Sequence, residues 1–251
     1  MQVLGVLNFV SHQQLRQAPR CRSFNSSQQE HKPRSNGQDV EPILKLEGHT
    51  HKVYTVNFLD SHTLLSGSMD NDLRLWDLNK GVCSRVVSAH ESSVFFSCVS
   101  PRSKNVVLSA SDDCSMVQHD FREKDSVVAR FAGHEKTLWG CDIRFDEGQY
   151  VSCGMDAKVM LWDPRNSSTP TNTFCVHKSP IHSVEYLPDG TGILSAARDH
   201  CFKIIECQRG DTVLSTAAHE GNVFRANYNP VTNLVMTCGT DTKVKLWSLE
   251  Q

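Results

Sequence analysis

Serine, histidine and aspartate recur together in this chain in sets that would suit acyl transfer, where an imidazole takes the proton of a serine hydroxyl and a carboxylate orients the ring. The sets are His49, Ser66 and Asp70; His90, Ser109 and Asp113; His134, Ser152 and Asp156; His177, Ser195 and Asp199; and His219, Thr237 and Asp241. An active site needs such a set once. A buried Asp in a turn, by contrast, needs donors wherever it occurs, and an imidazole bridging to a hydroxyl supplies them. Repetition therefore marks the sets as pins, one for each repeated structural unit, and the chain is expected not to be an enzyme.

The elements that must position these sets follow from the stretch between Gly48 and Asp77. It opens on Gly-His, closes on Trp-Asp, and in between carries Val53, Val56 and Phe58, then Leu73 and Leu75, with the period of two that strands require. The unit reads as a three-strand meander. The same opening recurs at Ala89-His90, Gly133-His134, Val176-His177 and Ala218-His219. A period of about 42 residues between copies indicates propeller blades.

On these residues the chain resembles the WD-repeat family from Glu41 to Gln251. The resemblance implies an all-β WD-repeat β-propeller and assigns each set to a blade-stabilising network that ends on a tryptophan. Three copies are complete: His49, Ser66, Asp70 and Trp76; His134, Ser152, Asp156 and Trp162; His219, Thr237, Asp241 and Trp247. The second copy has His119 and the fourth Ile205 where Trp is expected, so both are expected to lose the indole end of the network. The family most often builds more than five blades, which leaves three arrangements: a closed five-bladed ring, an open arc, or completion by another chain. The closed ring is favoured slightly over the arc. Ile43–Leu46 would supply its closing strand, pairing with the strand at Lys243–Trp247.

Composition sets outer limits. The 251 residues carry a net charge of −2 and 39% hydrophobic residues, with no apolar run near the length that spans a bilayer. Near-neutral charge gives no reason to expect a nucleic-acid surface. Ten cysteines occur without a C-x-x-C pair, several of them (Cys98, Cys141, Cys153, Cys238) inside strand patterns. They read as small apolar residues in a reducing compartment, and neither a metal nor another cofactor is expected. Residues 1–40, rich in Gln, Ser, Arg and His, form a separate extension before a propeller domain at 41–251. The extension reads as disordered. Its first 29 residues hold Arg16, Arg20 and Arg22 and no acid, which also suits a mitochondrial transit peptide. Cytoplasm or nucleus is otherwise the expected location.

Function in a propeller comes from its rims. Just after the first apolar residue of each repeat stands Tyr54, Phe95, Trp139, His182 or Phe224. In peptide-reading members of the family this position lies at the channel mouth, where rings can sandwich a lysine or arginine. Lys52, Asp112, Arg198 and Arg225 would flank it. At the other end of two consecutive repeats, His119-Asp120-Phe121-Arg122 and Trp162-Asp163-Pro164-Arg165 both read x-D-x-R. They resemble the paired boxes of substrate receptors for cullin-RING ubiquitin ligases, so Asp120, Arg122, Asp163 and Arg165 become candidate adaptor contacts. The expected role is a non-catalytic protein–protein interaction scaffold, either such a receptor or a signalling scaffold resembling a G-protein beta subunit. Its partners would be proteins or peptides, including a ligase adaptor, with no membrane.

Overall fold

Strand-forming sequence alternates with tight turns throughout, and in a computed structural model describing residues 42–249 it folds into five antiparallel sheets. The first blade is β1 (Val53–Phe58), β2 (Thr63–Ser68), β3 (Leu73–Asp77) and β4 (Val82–Val87); the second is β5 (Val94–Val99), β6 (Val106–Ser111), β7 (Ser115–Asp120) and β8 (Val127–Ala132). The third contains β9 (Leu138–Ile143), β10 (Tyr150–Gly154), β11 (Val159–Trp162) and β12 (Asn172–Phe174). The fourth contains β13 (Ile181–Tyr186), β14 (Gly192–Ala197), β15 (Cys201–Glu206) and β16 (Thr212–Ala217). The fifth has three strands: β17 (Val223–Asn229), β18 (Leu234–Gly239) and β19 (Val244–Ser248). Among the described residues there is no helix.

Each of the first four blades thus has a fourth, outer strand beyond the meander expected from sequence. The second strands, such as Val-Val-Leu-Ser-Ala-Ser in β6, are buried on both faces and read as continuous small and apolar runs. The outermost, such as β16, are exposed at alternate positions.

Blades pack in chain order, innermost strand against innermost strand, from β1 to β5, β9, β13 and β17. At each junction the β2- and β3-type strands of one blade meet the β1- and β2-type strands of the next. Leu65, Leu73 and Leu75 meet Val94 and Val107; Val151, Val159 and Leu161 meet Ile181 and Ile193. Each fully buried aliphatic side chain contributes roughly 1.5–3 kcal/mol. In each polar set the Asp sits in the turn between the second and third strands and the hydroxyl within the second strand.

The ends depart from expectation. Ile43–Leu46 forms no strand: Ile43 is fully exposed, and a Cβ placed on Gly81 would meet Leu44 Cδ1 at 3.1 Å, so Leu44 lies over the lower turn of its own blade rather than beside β19. No junction of the kind seen between neighbours joins β17 to β1. Closure of the five blades into a ring is therefore not shown among the described residues, and the closing strand expected from Ile43–Leu46 is not formed. The expectations of a disordered extension or a transit peptide concern residues 1–40, which lie outside the described residues.

Candidate functional site: the mouth, the throat and the lower rim

The sets do come together, with a geometry a hydrolase would share. His Nδ1 donates to the Asp carboxylate at 2.8 Å in the first four blades and 2.7 Å in the fifth. Nε2 lies 2.6 Å from Ser66 Oγ, 2.7 Å from Ser109 and Ser152 Oγ, 2.8 Å from Ser195 Oγ and 2.9 Å from Thr237 Oγ1. With Nδ1 protonated to serve the carboxylate, a neutral ring accepts the hydroxyl proton at Nε2. The indoles of Trp76, Trp162 and Trp247 donate to the same hydroxyl oxygen. All five hydroxyls are buried, so none is presented to a substrate. Each hydroxyl is instead a relay between an imidazole and the blade's inner packing.

The Asp does more than hold the ring. Asp70 also accepts the backbone N–H groups of Thr50 and Asp72, which fastens the segment before β1 to the β2–β3 turn. Burial pushes its carboxyl up, but the hydrogen bonds from Thr50, His49 and Ser68 outweigh that and bring its pKa to about 2. The residue after the Asp (Asn71, Cys114, Ala157, His200, Thr242) is left-handed in every blade, so the turn itself is the same five times.

The second blade corrects one expectation. His119 replaces the missing indole, with Nε2 2.8 Å from Ser109 Oγ, so the network there is rebuilt rather than shortened. Its Nδ1 is buried without a partner, and burial, with repulsion from His90 and Arg130, holds its pKa down to about 3. In the fourth blade Ile205 gives no bond and Ser195 Oγ instead lies 3.4 Å from the Lys203 carbonyl.

The upper end of the blades, where the β1-type strands begin, carries the aromatic row. In every innermost strand the pairing register skips one residue near its start, and the skipped residue is Tyr54, Phe95, Trp139, His182 or Phe224. An unpaired bulge residue is turned away from the ladder. Tyr54 packs on Phe95 (centroids 4.8 Å apart), Trp139 stacks on His182 (4.6 Å), and His182 meets Phe224 edge-on (4.9 Å). Exposed Met69 and Met155 join this surface, Met69 Sδ receiving the Tyr54 hydroxyl at 3.8 Å. Sequence reasoning missed both methionines, although each precedes the network Asp in its repeat.

Two of the flanking residues lie against aromatic rings. Arg198 lies 4.7 Å from the Trp139 centroid, and its Nε donates to His182 Nε2 at 3.1 Å. The chain's own guanidinium thus occupies the face on which a partner's cation was expected. Arg225 reaches across the throat to within 5.0 Å of the Phe96 ring.

Below the mouth, Asp142 and Glu185 stand at equivalent positions of adjacent inner strands, Asp142 accepting the Tyr186 N–H at 2.8 Å and Glu185 the Asn227 amide at 2.8 Å. Burial raises Asp142 to about 6, and burial together with the Asp142 charge raises Glu185 to about 7, against the opposing pull of Arg225. A raised carboxyl favours folding below its unfolded pKa, and that contribution is lost as pH rises through the folded value. Glu185→Gln is therefore expected to leave stability unchanged near pH 4 and to raise it on the order of 1–3 kcal/mol at pH 8. Urea titrations of both proteins across this range check it. His177 and His182, held low chiefly by burial, run the opposite way in both proteins and cancel in the difference.

At the lower end, each D-x-R arginine folds back onto its own aspartate. Arg122 Nε and Nη2 grip Asp120 at 2.9 and 2.6 Å; Arg165 does the same to Asp163 at 2.9 and 2.8 Å. Both guanidinium groups are otherwise exposed. Because strands alternate in direction, these turns after β7 and β11 lie at the opposite end of the blades from the mouth.

The described cysteines are free thiols; Cys141 and Cys153 are buried, and Cys98 Sγ lies 3.7 Å from Cys141 Sγ.

Comparison with known proteins agrees with this architecture. The family model "WD domain, G-beta repeat" matches residues 40–77, 81–120, 125–163, 168–206 and 210–248, and the chain belongs to the WD-repeat family. It is 25% identical over 174 residues to a ribosome biogenesis protein WDR12 homolog from Drosophila mojavensis, covering 67% of this chain and 40% of that protein. It is 26% identical over 209 residues to protein tipD from Dictyostelium discoideum, covering 80% of this chain and 27% of that protein. The chain thus spans less than half the length of these relatives.

Proposed function

We propose that this WD-repeat chain is a non-catalytic protein-interaction scaffold whose mouth takes a short segment of a partner protein through Tyr54, Phe95, Trp139, His182 and Phe224. The observation that carries this is the bulge repeated in all five inner strands, which turns each of these rings out of the ladder toward one surface. Rigid aromatics with neighbouring methionines are efficient anchors for a peptide side chain. With Arg198 already seated on Trp139, the best complement is a segment that pairs an apolar or aromatic residue with a carboxylate. Cytoplasm or nucleus, where free thiols persist, fits the role.

Selecting a random peptide library against the full chain tests this. Selected peptides are expected to lose at least tenfold in affinity to the double variant Trp139→Ala, Phe95→Ala. The arginine pair Arg122→Ala, Arg165→Ala should leave peptide binding unchanged. Peptides that bind the aromatic variant equally well would rule the mouth out.

A second reading, as a cullin-RING substrate receptor, draws on the two exposed arginines at matching turns of adjacent blades. In it the adaptor contacts guanidinium N–H groups left over from the Asp120 and Asp163 forks. Loss of a ligase adaptor from the arginine variant, but not from the aromatic one, would be its signature. No feature of the described residues singles out a G-protein-like signalling role. The relatives named for ribosome biogenesis suggest another assembly role, and co-purification of the full chain with ribosome precursors would move the assignment there.

A further inference from the structure

Midway along each inner strand, at the same repeat position, stands one of Asn57, Cys98, Asp142, Glu185 and Asn227. At three of the four junctions between the described blades this position makes a polar tie across to the neighbouring strand. Asn57 donates to Ser97 Oγ at 2.8 Å and to the Ser97 carbonyl at 3.0 Å, Asp142 accepts the Tyr186 N–H at 2.8 Å, and Asn227 donates to Glu185 at 2.8 Å. Blade two has Cys98 there, and its Sγ meets Cys141 Sγ on the inner strand of blade three at 3.7 Å. A thiol is a weak donor and a weak acceptor, so this junction alone of the four lacks a strong hydrogen bond at that position. Both sulfur-bearing residues lie in the apolar cluster between these blades, Cys141 only 1% exposed and Cys98 half-buried.

We propose that Cys98 and Cys141 form a site of reversible oxidation, at which peroxide joins blades two and three through an intramolecular disulfide. The two residues belong to β5 and β9, which pack against each other along the junction. Closing 3.7 Å to the about 2.05 Å of a disulfide calls for a shift of under about 2 Å, within the range of side-chain rotation. In the first step the Cys98 sulfur, the more accessible of the two, gives up its proton and attacks one peroxide oxygen. The S–O bond forms, the O–O bond breaks, and the departing hydroxide takes the proton to become water. In the second step the Cys141 sulfur attacks the sulfenic sulfur of Cys98. The S–S bond forms, the S–O bond breaks, and the departing hydroxide takes the Cys141 proton to become a second water. Two thiols are oxidised and one peroxide is reduced, and a dithiol reductant reverses the change. The neighbouring Cys141 thiol and burial raise the Cys98 thiol well above its usual value, so thiolate is scarce and the oxidation is slow. The bridge closes a loop between residues 43 apart and gives this junction the tie that the other three already have.

The test is to treat the full chain with excess hydrogen peroxide, alkylate the remaining thiols in denaturant, and analyse the peptides by mass spectrometry. The expected product is a pair of peptides linked through Cys98 and Cys141, two hydrogens lighter than the reduced peptides and absent after treatment with dithiothreitol. Exposed Cys175 is the internal control that oxidant was sufficient. Cys98→Ser and Cys141→Ser should each abolish the linked product. In the wild type the bridge should slow amide hydrogen exchange in β5 and β9 at least tenfold, and dithiothreitol should restore the original rate. If either variant fails to fold, the wild-type product and its exchange decide alone. Full oxidation of Cys175 while Cys98 and Cys141 both remain open to alkylation would overturn the proposal. So would wild-type Cys98 ending as sulfinic acid or joined to a different cysteine, or a bridge that leaves exchange in β5 and β9 unchanged.

Discussion

Asp156→Ala is expected to destabilise the third blade by about 2–3 kcal/mol, and Asp199→Ala the fourth by about half as much. Both carboxylates hold a histidine at 2.8 Å, but they are not equally engaged. Asp156 also accepts the backbone N–H groups of Glu135 and Lys158, whereas for Asp199 the further backbone bond is from Cys201. The Asp156 side chain is 3% exposed and that of Asp199 is 17%, so water replaces the lost acceptor more readily in the fourth blade. Burial works against the Asp156 charge, but the His134 bond and charge together with the backbone bonds from Lys158 and Glu135 outweigh it, leaving its pKa below the usual carboxylate range. That contribution is therefore present at neutral pH and lost as pH falls through the acid range, so the gap between wild type and Asp156→Ala should narrow on acidification. Urea unfolding at pH 7, with hydrogen exchange to localise the loss, measures both variants. Equal losses would show that the network is worth the same whatever its burial.

The spacing of His134, Ser152, Asp156 and Trp162 carried most of this blade in plain view. Those groups must meet in space, and strand geometry fixes how far apart in sequence they can stand. The outer strands were less visible. β4 and β16 make few buried contacts, so selection for apolar residues there is weak and no strong alternation marks them. His119 shows why a missing tryptophan was misjudged: what the network needs is an N–H at one point, and an imidazole delivers it as well as an indole. Arg198 and Arg225 were expected only to flank the mouth, because their long stems hide where the charge ends up; the structure shows one on Trp139 and the other across the throat. Closure was the least legible feature. Apolar Ile43–Leu46 looks like a strand, but pairing it with β19 requires the end blades to be neighbours, a non-local condition that no local pattern reports.

Trp162→Ala is expected to cost more than any other single change considered, about 3–5 kcal/mol. The indole is wholly buried between blades two and three, 5.6 Å from the Phe131 ring and at 69° to it, and it is packed with Leu108 and Met116. A Cβ on Gly133 would come within 2.9 Å of its Cη2, so the opening glycine of this repeat is small because the indole lies there. Truncation leaves a cavity between two sheets that cannot collapse without breaking their registers, and it strips Ser152 Oγ of its 2.8 Å indole donor. Trp162→Phe separates the two losses, keeping most of the packing and costing about 1–2 kcal/mol for the absent hydrogen bond and the unfilled volume. Trp247→Ala is the control. It removes the same network residue from the last blade, where the ring is only partly buried, and should cost clearly less than Trp162→Ala. Hydrogen exchange should show the Trp162→Ala loss in blades two and three together, because the indole serves their shared junction. A loss confined to blade three, or a Trp247→Ala cost as large, would mean that the blades are held by their own networks and not by the packing between them.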